Sequence, residues 1–176
     1  MKYCLPFLLL IFVSCSKDQG ISLKFGQVIS QSTTIQKDTF RINGVDSLNQ
    51  PLLTIQGENI TVDFNNAVLT GSNDKKWPND FYGLAILITG KNITLKNAKV
   101  HGFKVAVMAE DVDSLKIVDC DFSYNYRQKL KSIREREDLS DWLSYHQNDK
   151  DEWLRYGMGI YLKNCDHALV KNVHIT

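Results

Sequence analysis

The feature that most constrains this chain is a set of apolar positions that recurs at fixed spacing. Four segments align without gaps: Ile60 to Asn66 (ITVDFNN), Ile93 to Lys99 (ITLKNAK), Leu115 to Asp121 (LKIVDCD) and Ala168 to His174 (ALVKNVH). In the last three an apolar residue returns at the first, third, sixth and eighth places: Ile93, Leu95, Ala98, Val100; Leu115, Ile117, Cys120, Phe122; Ala168, Val170, Val173, Ile175. Period-two alternation on both sides of a break reads as two short strands that turn their apolar side chains the same way. At the break, Asn97, Asp119 and Asn172 are equivalent, and Asn or Asp tolerates the left-handed backbone that a corner demands.

The offsets between segments are 33, 22 and 53 residues, one unit of 22 with 0, 11 or 31 residues added. Each segment is preceded by another short apolar strand: Leu52 to Ile55, Leu84 to Ile88, Val105 to Met108 and Met158 to Leu162. The turns repeat as well, as Gly57-Glu58-Asn59 and Gly90-Lys91-Asn92. Asn59 and Asn92 both head Asn-Ile-Thr triplets, and their equivalence favours stacked turns over glycosylation. A sandwich would not hold equivalent residues at one fixed length, and a propeller blade repeats at roughly 40 residues. About three strands per 22 residues, stacked at ~4.8 Å, predicts an all-β solenoid around one apolar column. This pattern resembles the right-handed parallel β-helix of the pectate-lyase type over roughly residues 39–176. Cys120 takes an inward place and Cys165 lies beside a turn at a non-equivalent offset, which predicts two separate thiols rather than a disulfide.

The chain's start carries a different message. Lys2, an apolar run from Leu5 to Val13 and the small Ser14 form a secretory signal too short to span a bilayer. Phe12-Val13-Ser14-Cys15 resembles the lipobox of bacterial lipoproteins, which implies cleavage before Cys15 and acylation of that residue. The expected organisation is a signal peptide over 1–14, a tether and N-terminal cap over 15–38, and repeated strands over 39–176. The expected address is the bacterial cell envelope, at the outer membrane or cell surface, with the membrane reached through the lipid. With 21 Lys+Arg against 20 Asp+Glu, a net charge of +1 gives no basic excess for nucleic acid. Thr176 falls inside an apolar strand, so the sequence is expected to be the N-terminal fragment of a longer chain.

Two insertions interrupt the unit, near 71–81 and over 126–156, and insertions in a solenoid usually carry the binding groups. The first (GSNDKKWPNDF) is rich in turn formers and contains a Trp and a Pro. The second opens with Arg127, Lys129, Lys131, Arg134 and Arg136. Asp138 can then cap a helix bearing Leu139, Trp142, Leu143 and His146, and Asp149, Asp151, Glu152 and Trp153 follow. This predicts a helical insertion packed against the strands.

Rows of Arg and Lys neutralise the carboxylates of an acidic polysaccharide while aromatic faces pack on the sugar rings. In a β-elimination the same neutralisation acidifies the carbon from which a base removes a proton. The candidates are therefore Arg127, Lys129, Lys131 and Trp153 for substrate binding, and Arg134, Arg136 and His146 for catalysis. The competing reading of the basic run is a solvated helix face paired with Glu135, Glu137, Asp138 and Asp141. Asp149, Asp151 and Glu152 are weak candidates for Ca²⁺, a common helper in pectate-lyase-like enzymes. Asp119 and Asp121 lie two apart, but the equivalence of Asp119 with Asn97 and Asn172 favours a corner role over the paired carboxyls of a hydrolase. Two functions follow: a surface protein that binds and cleaves an anionic polysaccharide, lyase before hydrolase, or a non-catalytic binding solenoid.

Overall fold

A computed structural model describes residues 20–141 and 157–176. The fold is mostly β, and every pairing between named strands is parallel. Parallel neighbours cannot be joined by a tight hairpin, so the chain must travel away and return between them. The strands are β1 (Gln27–Ile29), β2 (Thr33–Thr34), β3 (Thr39–Arg41), β4 (Leu53–Asp63), β5 (Val68–Thr70), β6 (Leu84–Lys96), β7 (Lys99–His101), β8 (Val105–Asp113), β9 (Lys116–Val118), β10 (Met158–Lys163) and β11 (Leu169–Lys171). One sheet runs β1-β4-β6-β8-β10, with β2 on β4, β9 on β6 and β11 on β9; a second runs β3-β5-β7. Bridges Lys99↔Asp121 and Asp121↔His174 continue the second sheet. Strands β1 and β2 lie within the 15–38 stretch expected to be tether and cap.

The registers reproduce the repeat. Ile60 pairs with Ile93, Leu95 with Ile117, and Val170 with Ile117. The first segment departs from its gapless alignment at the corner, because Asp63 opposes Lys96 but Val68 opposes Lys99. Two extra residues sit there, and both Asn65 and Asn66 take positive φ. Elsewhere the corner expectation holds, with φ of 56° at Asn97, 55° at Asp119 and 52° at Asn172. The corner side chains also stack: Asn172 donates to Asp119 at 2.9 Å, and Asn97 donates to Asp63 at 2.8 Å. At the other bend Asn92 donates to Asn59 at 2.7 Å. Here Gly57 and Gly90 oppose each other with φ of 139° and 117°, and a Cβ on Gly90 would lie 2.1 Å from the Gly57 carbonyl oxygen. Only glycine lets these two backbones approach so closely.

Alternation turns Ile55, Ile88, Ile93, Leu95, Ala98, Val100, Leu115, Ile117, Cys120 and Phe122 inward, where all are buried in one apolar cluster. In the fourth segment Val173 is half-buried while Val170 and Ile175 remain exposed. Cys120 and Cys165 are free thiols, and burial pushes the Cys120 thiol up to about 11. A smaller cluster forms on the outer face, where Leu84, Val105 and Met108 pack with Leu48 from the link between β3 and β4.

The second insertion differs from expectation. Its described part, residues 126–141, contains no α-helix; it has a bridge between Ile133 and Arg136 and a single 3-10 turn at Leu139–Asp141. The Asp141 carboxylate accepts the main-chain N–H groups of Lys131 and Ser132 at 2.8 and 2.6 Å. That contact folds the basic run back on itself, so its charges do not share a helix face. The rest of the expected helix, with Trp142, Leu143 and His146, lies outside the described residues.

Candidate functional site

Both insertions emerge on the same side of the strands and meet. In the first, Pro78 opens a 3-10 turn at Pro78–Asp80, a place where its missing N–H costs nothing. The buried Phe81 then packs edge-to-face on Tyr124 at 5.8 Å. Tyr82 reaches back across the loop, donating its hydroxyl to Asp74 at 3.0 Å and its N–H to Ser72 Oγ at 3.2 Å. In the second, the buried Asn125 donates to the carbonyls of Val100 and Phe122 and accepts the Phe103 N–H. This anchor sends Tyr126 out under Lys104, whose ammonium stands 5.9 Å over the ring. The Arg127 N–H then reaches the Pro78 carbonyl at 3.4 Å, joining the two loops.

Two adjoining hollows result. One, of about 570 Å³, is lined by Asp46, Asp74, Lys75, Asn79, Asp80, Phe81, Tyr82, Lys104 and Tyr126. The other, of about 580 Å³, is lined by Trp77, Pro78, Asn79, Arg127, Gln128, Lys129 and Leu130. Each has the size of a small-molecule pocket, and Asn79 lines both. The burial of Leu48 on the outer cluster brings the nearby Asp46 to the first hollow.

Burial alone would raise the Asp74 carboxyl, but the Tyr82 hydroxyl and the Lys75 ammonium at 3.4 Å outweigh it and hold it below the usual range. Burial, then the bond to Asp74, then the charges of Asp74 and Asp46 push the Tyr82 phenol upward. At neutral pH the site therefore holds an ionised Asp74 and a protonated Tyr82. Trp77 is 67% exposed, so its ring face is available to a ligand.

Of the residues expected to bind substrate, Arg127 and Lys129 line this cleft, while Lys131 is held near Asp141 and lines neither hollow. Arg134 lies in the turn between Ile133 and Arg136, and neither arginine lines the cleft. His146, Trp153, the Ca²⁺ candidates Asp149, Asp151 and Glu152, and the lipidation candidate Cys15 lie outside the described residues. Among the described residues no group of three or more His, Cys, Asp or Glu is arranged to hold a metal ion. The sequence reading did not single out Trp77, Tyr82, Tyr126, Lys75, Lys104 or the three aspartates. The available signal was the density of Trp, Asp and Lys within Gly71 to Phe81.

A further groove runs past Ser32, Thr33, Thr34 and Thr61. Its charges close on themselves, with Lys96 3.0 Å from Asp63 and Asn97 donating to the same carboxylate. Compared with family models, with curated proteins and with solved structures, the chain matches none.

Proposed function

We propose that this chain is a right-handed parallel β-helix, tethered to the bacterial cell envelope by a lipid on Cys15, that binds an anionic polysaccharide in its lateral cleft. The handed solenoid is supported by parallel registers at 33, 22 and 53 residues around one apolar interior. The envelope location is supported by the apolar run from Leu5 to Val13 and the lipobox-like residues that follow.

One observation carries the binding reading: two insertions far apart in sequence converge so that Trp77, Arg127 and Lys129 line one hollow that shares Asn79 with a second. An indole face suits the C–H face of a sugar ring, and guanidinium and ammonium groups suit its carboxylate. The described cleft favours binding over cleavage. Tyr82 keeps its proton at neutral pH, and Asp74 is a weakened base held by Tyr82 and Lys75.

Calorimetric titration of the full chain with pectate, alginate, glycosaminoglycans and a neutral glucan tests this function. An anionic polymer is expected to bind in a salt-sensitive manner, with Trp77→Ala and Arg127→Ala each weakening it about tenfold. Equal binding of the neutral glucan, or no binding of any anionic polymer, would contradict the proposal. The same mixtures, watched for the absorbance of an unsaturated sugar, test whether cleavage accompanies binding.

A further inference from the structure

We infer that the polysaccharide taken by this cleft alternates an acidic sugar with an uncharged one. The inference rests on the proposed saccharide-binding role and names the class of polymer that the charge distribution selects. The two hollows share Asn79 in their walls, and neighbouring sugars of one glycan chain are assigned one to each.

Their charges are opposite in balance. The hollow beside Trp77 carries Arg127 and Lys129, and among the described residues neither cation pairs with a carboxylate. The hollow beside Tyr82 carries Asp46, Asp74 and Asp80 against Lys75 and Lys104. Lys75 lies 3.4 Å from Asp74, and the Lys104 ammonium stands over the Tyr126 ring. Asp74 also keeps its charge at neutral pH, being held below the usual carboxylate range.

A sugar carboxylate in the first hollow meets two cations. In the second it would face three carboxylates against two ammonium groups, one of them already paired with Asp74, and like-charge juxtaposition is an effective means of rejecting the wrong partner. A neutral sugar placed there donates its hydroxyls to those carboxylates in charge-assisted hydrogen bonds. The Asn79 amide, donating to Asp80 at 2.9 Å, marks the boundary between the two environments. A homopolymer of uronates puts a carboxylate in both hollows, whereas an alternating polymer puts one only where the cations are.

The test is a titration of the full chain with two hexasaccharides, one alternating glucuronate with N-acetylglucosamine and the other hexagalacturonate. The alternating oligomer is expected to bind about tenfold more tightly although it carries half the carboxylates. The double variant Asp74→Asn, Asp80→Asn is expected to strengthen hexagalacturonate binding and narrow the gap. Both side chains belong to an exposed loop, and an unchanged thermal unfolding curve would show that the fold persists. Equal or tighter binding of hexagalacturonate to the unaltered chain, or an unchanged ratio in the double variant, would overturn this inference alone. If no anionic polymer binds, the proposed function falls and this inference falls with it.

Discussion

Leu95 to Ile117 and Ile117 to Val170 are successive steps along one ladder, the first of 22 residues and the second of 53. Both steps return the chain to parallel register, although the second detours through residues 126–156. The short step alternates buried apolar side chains with polar ones that face outward, and turns at the corner residue Asn97. The described part of the long detour exposes Leu130, Ile133 and Leu139 and is held by polar contacts to main chain, chiefly those of Asp141. Register is therefore specified by the repeated residues, and the detours are left free to carry a site. A one-residue slip in the short step would turn every buried side chain outward; the detour has no equivalent penalty.

The largest expected effect breaks the ladder. Phe122 is fully buried in the interior, and Phe122→Ala should destabilise the fold by about 3–5 kcal/mol in urea unfolding. A loss below 1 kcal/mol would mean that the interior is not the determinant of register. A smaller effect comes from the corner. Asp119→Ala places an ordinary residue at φ 55° and removes the acceptor for Asn172, at a cost of about 1–2 kcal/mol. Asp119→Asn should be nearly neutral, because Asn already fills the equivalent corners.

Acid should weaken the ladder next. Burial raises the Asp63 carboxyl, but Asn97, the Asn65 N–H and Lys96 outweigh burial and leave it below its ordinary value of 3.8. A depressed carboxyl contributes stability above its unfolded pKa, and that contribution is lost as pH falls through the folded value. Stability followed by urea titration should therefore decline below about pH 4, and Asp63→Asn should flatten that decline. An unchanged acid limb would remove Asp63 from the network. Smallest of all, Arg134→Ala and Arg136→Ala should leave stability within about 0.5 kcal/mol and saccharide affinity unaltered. A loss of binding would return those arginines to the site.

The inward positions and the corner asparagines were legible from sequence because burial and a left-handed backbone each admit few residue types. The two extra residues at Asn65 and Asn66 escaped notice because both are Asn, as a corner requires, and the apolar positions before them still matched. The competing reading of the basic run as a helix face does not hold over its described residues, for a physical reason. Charges three or four apart are neighbours on a helix, but the same spacing arises in a folded-back loop when one carboxylate, Asp141, is engaged by main-chain amides. The cleft was least legible. Asp46, Asp74 to Tyr82, Lys104 and Tyr126 to Leu130 are separate stretches that only the stacking of strands brings together.

The most direct test of the account follows the Trp77 indole N–H by nuclear magnetic resonance, assigned through Trp77→Phe, while an anionic oligosaccharide is added to the full chain. Saturable movement of that signal, with the same affinity as calorimetry and markedly weakened in Arg127→Ala, is the result the convergent cleft predicts. Binding seen by calorimetry while the Trp77 signal stays fixed would place the saccharide elsewhere and contradict it.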